Sequence, residues 1–419
     1  MAAETTAIIQ SSHDINKLSY EIFSILESKF LFGYDDPNTV VAATPPKTPE
    51  KFPRPLTAGK VRILSIDAGS GVLAAVALAR LETSLAKQCR NPDARIADFF
   101  DIAAGSGSGG VLTAMLFTRS PSGRPLFSAG DALRFIMKNR RKLSSAGRKG
   151  VFRRSGGMFR RLFGESTLRD TIKPVLIPCY DLATGSPFVF SRADAVEADA
   201  FDFSIREVCA ATCSEKARLV MRSVEGRARI DAVGGGVVMR NPTAMAITHV
   251  LNNTIEFPFA TGVEDLLVVS LGNGAEDIGP PVAAKLLKIA GDAAAEMVDQ
   301  AVAMAFRQSR LTNYVRIEAH CPASGGKSPS PPPLPAVEEM LLSQRSVDSV
   351  LFRGRKVSEK TNGDRLEWFC GELVAEHDRR KGSNIPTVLI KPTLMSRTSS
   401  ATYTTTSAMA STQQLAASL

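Results

Sequence analysis

Residues 96–117 read IADFFDIAAGSGSGGVLTAMLF: an apolar run that ends at Ala104, a corner dense in glycine and serine, and a second apolar run. This order predicts a strand, a sharp turn and a buried helix, which is the layout of a nucleophile elbow. An elbow holds the residue at its tip in a strained backbone conformation and needs small neighbours so that the turn can close. The five elbow positions are Gly105, Ser106, Gly107, Ser108 and Gly109. Gly107 therefore stands where a nucleophilic serine would stand.

The composition is that of a soluble globular protein. The chain has 419 residues, of which 44% are apolar and 22% charged, so it can bury a sizeable core. It contains no apolar run of about eighteen uncharged residues and no N-terminal pattern of a secretory signal. Six cysteines are scattered; Cys209 and Cys213 lie four residues apart, but none of the four histidines is close to that pair in sequence. We therefore expect a cytoplasmic protein with reduced thiols, no metal ion and no cofactor.

The net charge of +9 is concentrated in residues 134–163, where eleven lysines and arginines occur without an acidic residue. Phenylalanine, methionine and leucine side chains are interleaved with them, and this mixture is typical of a protein segment that binds an anionic membrane surface. A solvated, mobile loop is the plainer interpretation, and nucleic acid a third one, disfavoured because no binding motif accompanies the patch. The residues assigned to lipid-surface binding are Arg140, Arg141, Lys142, Arg148, Lys149, Arg153, Arg154, Arg160 and Arg161.

Four parts of the chain are expected. Residues 1–59 contain an amphipathic helix (13–32) and a proline-rich linker (35–57); residues 60–320 form the main domain, with the basic insertion 134–163; residues 321–395 form a helical extension; residues 396–419 form a disordered Ser/Thr-rich tail. Within the main domain, strands at 61–67, 186–190, 266–272 and 313–319 alternate with helices, which favours an α/β sandwich. In the extension, a Pro/Ser linker (324–335) precedes helices at 337–351 and 366–380.

A loop of small residues, 68–71, follows the first strand and precedes a helix. Backbone N–H groups at such a helix start suit an anion, either a phosphate or the oxyanion of an acyl-transfer intermediate. Tight packing of strand on helix explains the glycines equally well. A nucleotide-binding fold fits this loop but not the later elbow.

Several segments together resemble the plant patatin-like proteins of the patatin-like phospholipase family. They are LSID (64–67) with its glycine loop, FFDI (99–102) leading into the elbow, NPT (241–243), residues 266–274, and EIFSILESKFLFGY (21–34). The resemblance covers residues 14–36 and 61–320. It implies a patatin-like α/β sandwich with a mainly parallel central sheet, a nucleophile-elbow layout and extra helices at both termini.

The resemblance also implies hydrolysis of acyl esters in phospholipids or galactolipids by a serine–aspartate dyad. This sequence departs from that pattern at three places. Gly107 replaces the serine, as is frequent in the plant subgroup, and Gly234 falls at the aspartate of the family's Asp-Gly-Gly turn. The oxyanion loop, Gly69, Ser70 and Gly71, lacks the family's following basic residue.

Two hypotheses follow. The first is a lipid acyl hydrolase with a rearranged dyad, in which Ser106, Ser108 or Asp231 substitutes for the missing groups. The second is a catalytically inactive lipid-binding or regulatory protein, in which the two serines only close the turn. His249 is expected to be a packed histidine rather than a base. Under both hypotheses the partner is a membrane lipid surface, with the protein peripheral to it, and not nucleic acid.

Overall fold

The computed structural model describes residues 59–144, 152–214, 217–272, 283–306, 310–319, 334–350 and 354–391. The chain divides into two units, residues 1–57 and 58–419, and all described residues lie in the second. The expected N-terminal helix (13–32), the proline-rich linker (35–57) and the tail (396–419) lie outside the described residues.

A mainly parallel sheet forms the centre of the second unit. Its strands are β1 (Val61–Ile66), β2 (Ile102–Gly105), β3 (Val175–Asp181), β4 (Ser186–Ser191), β5 (Leu219–Arg222), β6 (Arg229–Gly234), β7 (Leu266–Leu271) and β8 (Tyr314–Ile317). Their order is β5-β6-β3-β2-β1-β7-β8, with β4 paired to β3. Strands β3, β2, β1, β7 and β8 run parallel, whereas β4, β5 and β6 make antiparallel pairs. The predicted α/β fold with a mainly parallel sheet is confirmed.

Helices cover both faces of this sheet. Successive side chains of a strand point to opposite faces, so each buried strand contributes apolar side chains to both. In β1, Leu64 and Ile66 belong to one apolar cluster, and Val61 and Ile63 belong to the other. The described helices are α1 (Val72–Gln88), α2 (Ile96–Phe99), α3 (Ser108–Phe117), α4 (Ala129–Ser144), α5 (Phe152–Phe163), α6 (Arg192–Glu197), α7 (Ile205–Thr212), α8 (Gly235–Val238), α9 (Thr243–Asn252), α10 (Ala283–Phe306), α11 (Arg310–Asn313), α12 (Leu334–Leu342) and α13 (Asn362–Lys381). In the described part of the chain, no helix has the length and apolar character needed to cross a membrane.

The apolar run before the elbow is not one strand. Residues Ile96–Phe99 form the short helix α2, whose start is capped by Asp98 accepting the Arg95 backbone N–H at 2.9 Å. The buried carboxylate of Asp101 then accepts the backbone N–H of Arg62 at 2.8 Å. Asp98 thus binds a backbone group at the start of α2, and Asp101 binds one of β1, so the strand β2 begins only at Ile102.

The C-terminal extension contains a hairpin that the sequence did not predict. The helix expected at 337–351 ends at Leu342, and the antiparallel strands β9 (Arg345–Val350) and β10 (Gly354–Thr361) follow. Pro335, expected in the linker, lies in α12. The last helix, α13, starts at Asn362, earlier than the predicted residue 366, because Thr361 Oγ1 accepts the Asp364 N–H at 3.1 Å.

Candidate functional site

The predicted elbow layout is present. Strand β2 ends at Gly105, helix α3 starts at Ser108, and Gly107 at the tip has φ 55° and ψ −122°. This backbone conformation is nearly restricted to glycine and costs about 1–3 kcal/mol for other residues. Every residue from Ile102 to Phe117 is buried, so the elbow is part of the core.

Two elbow glycines serve different purposes. A Cβ at Gly109 would lie 2.3 Å from the Ile66 carbonyl oxygen, so only glycine lets α3 pack against the backbone of β1. A Cβ at Gly107 would lie 3.2 Å from the Ala68 Cβ, a contact that a small shift relieves. The place of the nucleophile could therefore hold a serine side chain, and what it lacks is the hydroxyl.

The loop 68–71 is held against the elbow. Ser108 Oγ donates a hydrogen bond to the Gly69 carbonyl oxygen at 2.9 Å. On its other side, the Ala68 N–H donates to the Arg240 carbonyl oxygen at 2.9 Å, beside the Asn-Pro-Thr segment. The structure thus brings together the glycine loop, the elbow and the segment that follows the aspartate place.

One buried threonine connects the two positions of the missing dyad. Thr212, at the end of α7, accepts the Gly107 N–H on its Oγ1 at 2.9 Å. A Cβ at Gly235 would lie 2.8 Å from the same oxygen, and the adjacent Gly234 N–H donates to the Ser214 carbonyl oxygen at 2.8 Å. Sequence reasoning missed Thr212. The only signal in the sequence was the run of small residues at 210–214.

The candidate substitute residues do not form a nucleophile–base pair. Ser106 Oγ is fully buried and has no hydrogen-bond partner among the described residues, while Ser108 Oγ binds the Gly69 carbonyl. Asp231 lies three residues before Gly234 in β6, and therefore on the opposite face of the strand. Its carboxylate forms ion pairs with Arg218 and Arg229 instead.

A buried polar network supports the site from behind. Arg316 on β8 donates to Asp67 Oδ2 and to Ser270 Oγ, both at 2.7 Å. Thr243 Oγ1 lies 2.9 Å from Ser270 Oγ and donates to Ser65 Oγ at 2.8 Å. Burial raises the pKa of Asp67 to about 6, although the Arg316 guanidinium opposes this shift. The network fixes the point where β1 enters the loop 68–71.

The basic insertion contains helices rather than a loop in its described part, so the loop interpretation was wrong there. In α4, Ile136 lies close to Gly71, because a Cβ added to Gly71 would be 3.5 Å from the Ile136 Cδ1. In α5, Phe159 and Phe163 are buried, whereas Arg160 and Arg161 are exposed. Of the other assigned residues, Arg140 is half-buried and Lys142 exposed. The structure does not describe Arg148 and Lys149, nor the side chains of Arg141, Arg153 and Arg154.

His249 lies away from the elbow, on α9. Its ring contacts Phe257 edge-on, with centroids 6.4 Å apart, and burial lowers its pKa, so the neutral imidazole is favoured. It lines two adjoining cavities of about 260 and 280 Å³ that share Asp194 and Asn252. The described residues include no group of three or more His, Cys, Asp or Glu side chains placed to hold a metal ion.

Comparison with known proteins gives close relatives along nearly the whole chain. Patatin-like protein 3 of Oryza sativa subsp. indica is 49% identical over 390 residues, which cover 87% of this chain and 92% of that protein. Patatin-like protein 7 of Arabidopsis thaliana is 47% identical over 433 residues, covering 92% and 86%. Probable inactive patatin-like protein 9 of Arabidopsis thaliana is 39% identical over 391 residues, covering 86% and 93%.

Other comparisons are more distant. The crystal structure of VipD from Legionella pneumophila aligns with a TM-score of 0.37 at 9% identity, covering 76% of this chain and 67% of that one. No family model matches the sequence. The relatives from rice and Arabidopsis are similar over more than four fifths of both partners. The chain therefore belongs to the patatin-like protein family of plants.

Proposed function

We propose that this chain acts on membrane lipids as a lipid acyl hydrolase of the patatin-like family, with phospholipids or galactolipids as substrates. Family membership carries the proposal, and the retained contact between elbow and glycine loop, through Ser108 Oγ and the Gly69 carbonyl, supports it. Hydrolysis through an acyl-enzyme needs a nucleophile and a base. Because Gly107 and Gly234 provide neither, the reaction depends on a rearranged constellation.

Ser108 is the first candidate nucleophile. Its hydroxyl is the one at the elbow that reaches the loop 68–71, whereas the Ser106 hydroxyl is enclosed in the core. Rotation of the Ser108 side chain would direct Oγ at a lipid ester, with the backbone N–H groups of the loop near the developing oxyanion. Asp231 would act as the base only after the end of β6 had turned it towards the elbow.

A non-catalytic lipid-binding or regulatory role is the second candidate. It is favoured by the loss of both dyad side chains and by the pairing of Asp231 with Arg218 on the far face of β6. A relative that is 39% identical carries the name "Probable inactive patatin-like protein 9". In this role the fold would bind a lipid without cleaving it.

Both roles place the protein at the periphery of an anionic membrane. In α5, exposed Arg160 and Arg161 follow Phe159, which anchors the helix in the core. Each such cation near an anionic lipid surface contributes about 1 kcal/mol of attraction, which salt screens. An Arg160→Glu/Arg161→Glu variant should therefore bind anionic vesicles less tightly, with a weaker dependence on salt.

Fatty-acid release from phospholipid and galactolipid vesicles tests the proposal. The purified chain is compared with Ser108→Ala, Ser106→Ala and Asp231→Asn variants, and with Ser186→Ala as a matched change at an exposed serine of β4. We expect release by the wild type and by Ser186→Ala, and release at the level of a mock preparation from Ser108→Ala.

No release by the wild type, with vesicle binding intact, would reject the hydrolase and leave the lipid-binding role. Release that survives in the Ser108→Ala variant would reject Ser108 as the nucleophile.

A further inference from the structure

Helix α10 (Ala283–Phe306) exposes an apolar face. Met297 is 69% exposed, Leu286 56% and Met304 52%. At 100° per residue these three side chains project within about 20° of one another, so they form one stripe along the helix. Every α10 residue that the structure describes as exposed is aliphatic or a methionine: Leu286, Ile289, Ala290, Ala293, Ala294, Met297, Ala301, Met304 and Ala305.

Two of the three acidic residues of α10 pair with neighbouring parts of the protein. Asp299 is buried and accepts a hydrogen bond from the Tyr314 hydroxyl, and Asp292 pairs with Arg240. The inner face also supplies apolar side chains to the core, among them Val302 and Phe306. The largest apolar patch on a typical monomer covers about 300–600 Å² and is often functional, and this stripe approaches that size.

The inner side of α10, opposite the stripe, borders the candidate site. The α10 residue Asp292 pairs with Arg240, whose carbonyl oxygen binds the loop 68–71 through the Ala68 N–H. One turn further along, the Ala295 carbonyl oxygen accepts from Asn241 Nδ2 at 3.3 Å, in the Asn-Pro-Thr segment. The helix that carries the stripe is therefore tied directly to the segments that hold the elbow, while the stripe itself faces away from them.

The size of the stripe favours a lipid surface over a second copy of the chain. From Leu286 to Met304 it is about 27 Å long and about 10 Å wide, so two copies packed through it would bury on the order of 600 Å². Stable protein interfaces bury roughly 1,200–2,000 Å². A helix lying in a lipid interface needs only such a stripe, sunk about 5–10 Å below the headgroups.

We propose that α10 is an interfacial helix, whose stripe Leu286–Ala293–Met297–Met304 inserts into the lipid surface. The proposal rests on the lipid-directed function proposed above. It assigns α10 an apolar, salt-independent membrane contact that is separate from the α5 arginines, because α5 packs with the apolar cluster on the other face of the sheet.

Flotation of the full chain with neutral phosphatidylcholine vesicles at high salt isolates the apolar part. The test variant is Met297→Gln/Met304→Gln, because glutamine and methionine have similar helix propensities. The matched control is Val224→Gln/Ile255→Gln, since both residues are 61% exposed and lie outside α10. We expect about a tenfold loss of binding in the test variant and wild-type binding in the control.

Wild-type binding by the Met297→Gln/Met304→Gln variant, or no flotation of the wild type, would overturn the proposal. So would a wild-type dimer, measured by sedimentation, that this variant dissociates, because a second copy would then cover the stripe. Thermal unfolding of each variant confirms that the fold is intact. Flotation reports binding alone, so a protein that floats but releases no fatty acid would refute the hydrolase and leave this inference standing.

Discussion

Replacing Gly109 by alanine should destabilise the protein more than replacing Gly107 at the tip of the elbow. The new Cβ at position 109 would lie 2.3 Å from the Ile66 carbonyl oxygen and 2.8 Å from that of Asp67. Both are backbone atoms at the end of a central strand, so they cannot rotate away, and α3 would have to lift off β1. Forced overlap in a packed core costs about 3 kcal/mol, a large share of the roughly 5–15 kcal/mol that stabilises a domain.

At Gly107 the same substitution meets the Ala68 Cβ at 3.2 Å, which a small shift relieves. Its cost is mainly that of a φ of 55° in a residue with a side chain, about 2 kcal/mol. Gly157→Ala on α5 is the control, because its Cβ would meet nothing within 4 Å and alanine favours the helix by up to about 1 kcal/mol.

Urea unfolding followed by circular dichroism measures all three variants. We expect the free energy of unfolding to increase in the order Gly109→Ala, Gly107→Ala, wild type, Gly157→Ala. A Gly109→Ala protein as stable as Gly107→Ala would refute the division of the elbow glycines into packing and tip positions.

Three further outcomes are expected. Gly107→Ser combined with Gly234→Asp should raise the rate of p-nitrophenyl ester hydrolysis above that of the wild type, since the backbone of Gly234, at φ −54° and ψ 137°, allows an aspartate. An unchanged rate would mean that the dyad is not restored. Asp101→Asn should lower the free energy of unfolding in urea by about 3–5 kcal/mol, because it leaves the guanidinium groups of Arg62 and Arg380 without their shared carboxylate. Burial raises the pKa of Asp67 to about 6 from 3.8, so its contribution to stability is full below pH 3.8 and is lost as the pH rises through 6. The melting temperature of Asp67→Asn should therefore depend less on pH between 3.8 and 6 than that of the wild type.

The central strands were predictable because burial leaves a direct mark on the sequence. All six residues of β1 and all six of β7 are buried, and apart from Arg62, Ser65 and Ser270 both strands are apolar. The elbow was predictable for the same reason, since its glycines interrupt two such runs. The hairpin β9–β10 was not, because it is short, largely polar and follows a helical pattern without a break.

Long-range pairing left no mark that a single sequence could show. Arg380 on α13 binds Asp101 at 2.7 Å across 279 residues, and together with Arg62 it holds the C-terminal helix at the start of the sheet. The outward face of α10 was equally hidden. Its sequence has apolar residues on more than one side, and periodicity alone cannot tell which side packs on the core.

The elbow can survive without its dyad because the residues that build it are not the residues that react. Gly109 and Gly235 are fixed by backbone atoms of neighbouring strands, with a Cβ at Gly235 falling 2.2 Å from the Pro178 carbonyl oxygen. Thr212 then joins the two halves through the Gly107 N–H. None of these contacts needs a serine at 107 or an aspartate at 234. The packing that shapes the candidate site therefore stays under structural constraint after the reactive side chains are gone, and the chemistry performed there can change without loss of the fold.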